Sequence, residues 1–192
     1  MRRRSDRSFK QHSLIKRLKR ALAQALPEDK VLDGLSIKEK GRSFSIRLEK
    51  NGDVVAAGVK LVPPRSEKSR AQTCDALFVL RDLKQSHAII IFVELKGTDV
   101  DHAIGQIESS FYRLCKNKNS KEHDSIFNKL PTTPDLSHEG RAFGIVVSSR
   151  GLTQAQIARK RLRPDLNIKF RKSLDSLRIS EVYDWIRARG KP

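Results

Sequence analysis

Cysteine is scarce in this sequence, and its scarcity excludes two classes of small protein. The two cysteines, Cys74 and Cys115, are too few for a disulfide framework, and they lack the paired spacing of a metal knuckle. Cys74 lies beside a predicted strand and Cys115 on a predicted helix. We therefore expect both to be reduced residues in or near the core, which favours a reducing compartment.

Long apolar runs are also missing. The longest, from Ala88 to Val93, is far too short to cross a bilayer. The basic start, Met1 to Arg4, is followed by no apolar segment of the kind found in secretory signals. The five histidines show no metal-ligand spacing. These absences predict a cytoplasmic protein that has no membrane partner.

Negative charge is heavily outnumbered by positive charge. The 192 residues include 40 Lys+Arg and 22 Asp+Glu, a formal net charge of +18. A field of that sign attracts polyanions, so nucleic acid is the first candidate partner. The hydrophobic content of 38% is enough for a core, and the length suits one compact domain over residues 1–192. A basic protein whose charge only serves solubility is the alternative.

A basic amphipathic helix is predicted near the beginning of the chain, over residues 5–26. Apolar residues recur there at helical spacing, and Pro27 ends the pattern. Basic residues from this helix and from a second predicted helix, over 153–162, form two clusters. Each cluster could bind phosphates, although a solvated helix face is an equally good interpretation. The candidate nucleic-acid-binding residues are Lys16, Arg17, Lys19, Arg20, Arg159 and Arg163.

Two β-hairpins are predicted from alternating or continuous apolar runs. The first joins residues 44–49 to residues 54–62 across the turn signal Asn51-Gly52. The second joins residues 75–80 to residues 88–96, and its second strand is apolar on both faces, which is typical of a covered central strand. If its loop is centred between residues 84 and 85, Leu80 pairs with Ile89 and the same register pairs Asp75 with Glu94.

The rest of the pattern alternates between helix and strand. We expect a helix over 100–114, capped by Asp99 and Asp101, and a polar loop over 117–140. A strand over 141–148, the helix over 153–162, a strand over 167–170 and a helix over 179–189 follow. This order predicts an α/β fold in which helices flank a mixed central β-sheet.

Three charged residues stand at one end of the second hairpin. Glu94 and Lys96 are two residues apart on a strand, so they share a face, and Asp75 is expected opposite Glu94. Two carboxylates placed there repel each other, and a divalent cation between them removes the penalty. Carboxylate oxygens suit Mg²⁺, with Mn²⁺ as a substitute, and the backbone carbonyl of Leu95 is a natural further ligand.

The pattern Asp75-x18-Glu94-Leu95-Lys96, with a helix after it, resembles the PD-(D/E)XK nuclease superfamily. The resemblance implies a restriction endonuclease-like αβββαβ core running to about residue 172, and Mg²⁺-dependent phosphodiester hydrolysis, mostly of DNA. It implies that Lys96 contacts the scissile phosphate, stabilises developing charge or orients the attacking water. It also makes Gln106, on the following helix, an active-site residue. Small members often act as homodimers, so the resemblance admits one here.

The sequence departs from the superfamily pattern at several positions. Cys74 replaces the proline before the aspartate, and Ser110 stands where RecB-like members have a tyrosine. The acidic residue that many members carry on the first helix has only poor counterparts, Glu28 and Glu67.

Three alternatives remain open. The charged residues could form an ordinary strand-end ion pair, or the chain could be a nucleic-acid-binding or partner-interaction module without activity. It could also be a defence effector that a regulatory partner releases.

Overall fold

The computed structural model describes residues 3–48, 54–63, 72–82, 88–96, 99–115, 142–148, 166–172 and 176–189. These residues form three helices, α1 Arg3–Ala25, α2 Val100–Cys115 and α3 Ile179–Arg189. They also form nine strands, β1 Lys30–Val31, β2 Ser36–Glu39, β3 Arg42–Arg47, β4 Val54–Lys60, β5 Ala76–Asp82, β6 Ala88–Lys96, β7 Ala142–Ser148, β8 Leu166–Lys172 and β9 Ser176–Arg178.

The larger of two sheets has the strand order β1-β4-β5-β6-β7-β8. Strands β4, β5 and β6 are successive antiparallel neighbours, whereas β7 runs parallel to β6 and β8 runs parallel to β7. Parallel neighbours need a crossover connection, and α2 lies in the connection from β6 to β7. The predicted α/β class, with a mixed sheet and flanking helices, is confirmed.

The second predicted hairpin is confirmed together with its register. Leu80 pairs with Ile89, and the ladder continues in that register to Ala76 and Val93 at the far end of β5. Strand β6 is buried on both faces from Ala88 through Leu95. Because side chains alternate along a strand, this burial requires a layer of structure on each side of the sheet.

The two layers over the larger sheet differ in kind. Helices α1 and α2 cover one face, where Leu22 and Ile107 pack against odd-numbered residues of β4 and β5 and even-numbered residues of β6. The opposite face is covered by α3 and a small sheet of order β2-β3-β9. Phe44 of β3 packs there on Phe78 of β5, with ring centroids 5.9 Å apart. The two faces of the larger sheet are thus covered by different elements, helices on one face and a helix with a small sheet on the other.

The first predicted hairpin is wrong, although strands exist at both of its positions. Strand β3 pairs with β2 and β9 in the small sheet, whereas β4 pairs with β1 and β5 in the larger one. The physical reason lies in burial. Strand β3 buries Phe44 and Ile46 on one face alone, but β4 is buried continuously from residue 55 to residue 59. The turn signal Asn51-Gly52 lies outside the described residues.

Other expected elements are found with small shifts in their bounds. Helix α3 has the predicted bounds, α1 covers nearly all of the predicted segment and ends before Pro27, and α2 is one residue longer than expected. The backbone N–H of His102 donates to Asp99 Oδ1 at 3.0 Å, so Asp99 caps α2 as predicted. The predicted loop over 117–140 and helix over 153–162 lie outside the described residues. Among the described helices, none has the length and apolar content needed to cross a bilayer.

The contact between α2 and the sheet depends on a glycine in β7. A Cβ atom built on Gly144 would lie 2.7 Å from Cγ2 of Ile107 and 2.9 Å from Cγ1 of Ile168. Both are branched side chains with little freedom near the backbone. Gly144→Ala is therefore expected to lower the free energy of unfolding by about 1–3 kcal/mol, through overpacking. Urea denaturation measures this, with Gly34→Ala as the control because its Cβ would meet no atom within 4 Å.

Candidate functional site

The start of β5 and the end of β6 bring two carboxylates together. The backbone N–H of Asp75 donates to Glu94 Oε2 at 3.1 Å, and the backbone N–H of Leu95 donates to Asp75 Oδ2 at 2.6 Å. Each carboxylate thus accepts a hydrogen bond from the strand that carries the other. The sequence predicted that Asp75 and Glu94 face each other, and the structure adds the two backbone N–H groups that hold them.

Burial makes this pair of carboxylates energetically demanding. Glu94 has only 2% of its surface exposed. The pKa of Asp75 is raised above its usual value, first because burial penalises the charged form, and further because Glu39 lies close by. The Leu95 N–H and the charge of Lys60 act in the opposite direction. A buried acidic pair of this kind is stabilised by added positive charge, which a bound cation or a basic side chain can provide.

Helix α2 holds the backbone that leads into Asp75. Gln106 Nε2 donates to the carbonyl of Thr73 at 3.0 Å. One turn further on, Ser110 Oγ accepts the N–H of Cys74 at 2.9 Å and donates to the carbonyl of Gln106 at 2.8 Å. Gln106, predicted as an active-site residue, therefore lies at the site and positions its backbone. Ser110, for which the sequence indicated no role, is a second positioning residue.

Ser110 gives a direct test of this anchoring. Ser110→Ala leaves the buried N–H of Cys74 without its acceptor, so the free energy of unfolding should fall by about 1–3 kcal/mol. Equilibrium urea unfolding measures the change, and Ser109→Ala serves as the control on the neighbouring position of α2. Equal stability of the two variants would contradict the role assigned to the Ser110 hydroxyl.

An open cleft of about 690 Å³ contains both carboxylates and brings in residues that sequence reasoning missed. They come from β4 and from the β2–β3 hairpin, and they are Glu39, Lys40, Arg42 and Lys60. Glu39 Oε2 lies 3.4 Å from Lys60 Nζ. The available signal was the pair Lys40-Gly41 between two alternating stretches, which predicts a two-residue hairpin loop. Because the Lys40-Gly41 pair is far from Asp75 in the sequence, this signal gave no indication that the hairpin lies at the site.

The end of β6 sets the direction of the Leu95 carbonyl, which was expected from the sequence to be a further metal ligand. In an extended strand, the N–H and C=O of one residue point to the same side. Because the N–H of Leu95 reaches Asp75, the Leu95 carbonyl is directed to the Asp75 side as well. Within the described residues, no group of three or more His, Cys, Asp and Glu side chains is placed to hold a metal ion. Strand β6 extends through Lys96, whose side chain lies outside the described part.

The predicted phosphate-binding residues of α1 lie elsewhere. Lys16, Arg17 and Arg20 are exposed on α1, and Lys19 Nζ donates to the carbonyl of Asp33 at 2.8 Å. None of these four residues is among the described residues that line the cleft. Arg159 and Arg163, like the acidic residue Glu67, lie outside the described residues.

Comparison with known proteins adds no relative to this picture. No family model, no curated protein and no solved structure matches this chain. Any function assigned to the cleft therefore depends on its own residues, their geometry and their chemistry.

Proposed function

We propose that this protein is a metal-dependent nuclease that hydrolyses phosphodiester bonds in DNA, with its active site in the cleft at Asp75 and Glu94. One observation carries the proposal. Two carboxylates, at the adjoining ends of β5 and β6, are removed from water to a large extent and are held by backbone N–H groups at the end of a strand that is apolar from Ala88 to Val93. Burying two like charges side by side costs a sheet stability, whereas hard oxygen ligands of this kind are what a cation-dependent reaction requires.

The residues of the cleft fit Mg²⁺ or Mn²⁺. Asp75 and Glu94 each accept a backbone N–H, and their carboxylate oxygens are hard ligands of the kind that a divalent cation prefers. The carbonyl of Leu95 would complete a set of three hard oxygen ligands. Mg²⁺ is commonly held by one or two carboxylates together with water and substrate phosphates. When bound, the ion supplies polarisation of a phosphoryl oxygen and a more acidic water molecule.

The order of elements also supports the proposal. Helix α1, the antiparallel strands β4, β5 and β6, helix α2 and the parallel strand β7 follow one another. This order is compatible with the αβββαβ core of the PD-(D/E)XK superfamily. Strands β1 and β8, the small sheet and α3 are additions to that plan.

Two other residues receive roles under this proposal. Lys96, two residues after Glu94 on β6, contacts the scissile phosphate or the attacking water from the same end of the strand. Gln106 keeps the backbone of residues 73–75 against α2, and so preserves the position of the Asp75 carboxylate.

The proposal is tested by incubating the protein with labelled single- and double-stranded DNA and RNA, with Mg²⁺, with Mn²⁺ and with a chelator. We expect metal-dependent cleavage of DNA by the wild type, and none by Asp75→Ala. Cleavage that survives either chelation or the substitution would refute a catalytic role for this site. Salt-sensitive DNA binding without cleavage would instead favour an inactive binding module, which the net charge of +18 also allows.

A further inference from the structure

The β2–β3 hairpin has a tight and unusual tip. Glu39 pairs with Arg42 across the ladder, so Lys40 and Gly41 form a two-residue loop. Their φ angles, 46° and 76°, are those of a type I′ turn, which places both residues in the left-handed region. Asn or Gly is favoured at the first of these positions. A lysine in this left-handed conformation is unfavourable for the backbone, which suggests that its side chain has a function.

The tip is held firmly by the core beneath it. Along the hairpin, Ile37, Phe44 and Ile46 are all at least 95% buried, and β3 also pairs in parallel with β9. By the alternation of side chains, Glu39 and Arg42 lie on the same face as these core residues, whereas Lys38 and Arg47 lie on the other face. The backbone at the tip is therefore fixed by the packed residues of the hairpin, so less conformational entropy is lost when the tip binds a ligand.

Arg42 lines the cleft and carries one hydrogen-bond donor that has no acceptor among the described residues. Its Nε atom is buried and has no hydrogen-bond partner among the described residues, although Arg42 lines the cleft together with Lys40, Asp75 and Glu94. Glu39, directly opposite Arg42 in the ladder, has its ion pair with Lys60. Buried donors normally find acceptors. A guanidinium binds phosphate oxygens well, because it presents several N–H groups in a fixed plane.

We propose that the tip of the β2–β3 hairpin is a phosphate-binding subsite of the cleft. There, Lys40 and Arg42 bind backbone phosphate of the nucleic-acid strand beside the bond that Asp75 and Glu94 act upon. The inference rests on the proposed function, since it names where that substrate is held. Under this proposal the nucleic-acid backbone is bound by the hairpin tip and not by the basic residues of α1.

Binding in the absence of metal tests the subsite separately from catalysis. The variant is Lys40→Asn/Arg42→Gln, in which asparagine suits the left-handed backbone. The matched control is Lys38→Gln/Arg47→Gln, which removes the same charge from the same hairpin on its opposite face. Fluorescence anisotropy of labelled single-stranded DNA, duplex DNA and single-stranded RNA is recorded in chelator over a series of salt concentrations.

The slope of log K against log salt concentration is the readout. If the tip binds two phosphates, the slope should become shallower by about 1.4 for single strands and about 1.8 for duplex DNA in the tip variant. The control should keep nearly the wild-type slope. Lys40→Asn alone should show about half of the change and a melting temperature equal to or above that of the wild type.

The other possible results bear separately on the subsite, on the nuclease proposal and on the identity of the substrate. Equal slopes for the tip variant and the control would remove the subsite while leaving the nuclease proposal intact. Wild-type binding that is absent or insensitive to salt for all three probes would overturn the subsite and the proposed substrate together. A change seen with RNA but not with DNA would keep the subsite and make RNA the substrate.

Discussion

Glu94→Gln is expected to lower the rate of metal-dependent cleavage by about a thousandfold, while the metal-free protein stays as stable as the wild type or becomes more stable. The amide keeps the shape of the carboxylate, and its oxygen can still accept the N–H of Asp75. It removes one negative charge from a site that is only 2% exposed and lies beside Asp75. Relief of that repulsion is worth up to about 1 kcal/mol. Loss of a carboxylate ligand to the cation that would polarise the reacting phosphate has the larger, opposite effect on rate.

Thermal unfolding with and without Mn²⁺ separates this role from a structural one. A cation at tenfold excess over its Kd should stabilise the wild type by about 1.4 kcal/mol, and Glu94→Gln by much less. Glu28→Gln removes an exposed carboxylate from the turn that follows α1, and this control should respond like the wild type. If Glu94 were half of an ordinary ion pair, its substitution would destabilise the metal-free protein and leave the response to Mn²⁺ unchanged.

Lys96→Met is expected to lower the rate of cleavage by about a hundredfold to a thousandfold, with little change in the stabilisation by Mn²⁺. The lysine follows Glu94 by two positions on β6, so it lies at the same end of the strand. Removing one cation that stabilises charge in the transition state has an effect of this size. Lys96→Arg should retain more activity than Lys96→Met, because it keeps the charge but changes the geometry of the donors.

A double-mutant cycle decides between this role and a strand-end ion pair of Glu94 with Lys96. The free energy of unfolding is measured for Glu94→Gln, for Lys96→Met and for the double variant, all without metal. Near-additive effects on stability, together with strongly non-additive effects on cleavage, are expected if both residues act on the substrate. A coupling of about 1 kcal/mol or more in stability would instead support the ion pair.

Local patterns along the chain determined much of the architecture. The β5–β6 hairpin was predictable together with its register, because two apolar runs are symmetric about residues 84 and 85 and the loop between them is short. That register alone places Asp75 opposite Glu94. Helices α1, α2 and α3 were predictable because their apolar residues recur at helical spacing. The mixed sheet then followed from the order of helices and strands.

Pairing between distant segments was decided by the tertiary structure alone. Strand β3 alternates in the same way whether it pairs with β4 or with β2, so its periodicity contains no information about its partner. Its place in the small sheet follows from burial of Phe44 against Phe78, a contact between residues far apart in sequence. The same packing brings Lys40 and Arg42 to the cleft. The sequence by itself thus determined that the two carboxylates are paired. Only the tertiary structure determined which basic side chains and which residues of α2 surround them, because those neighbours are set by packing between segments far apart in the sequence.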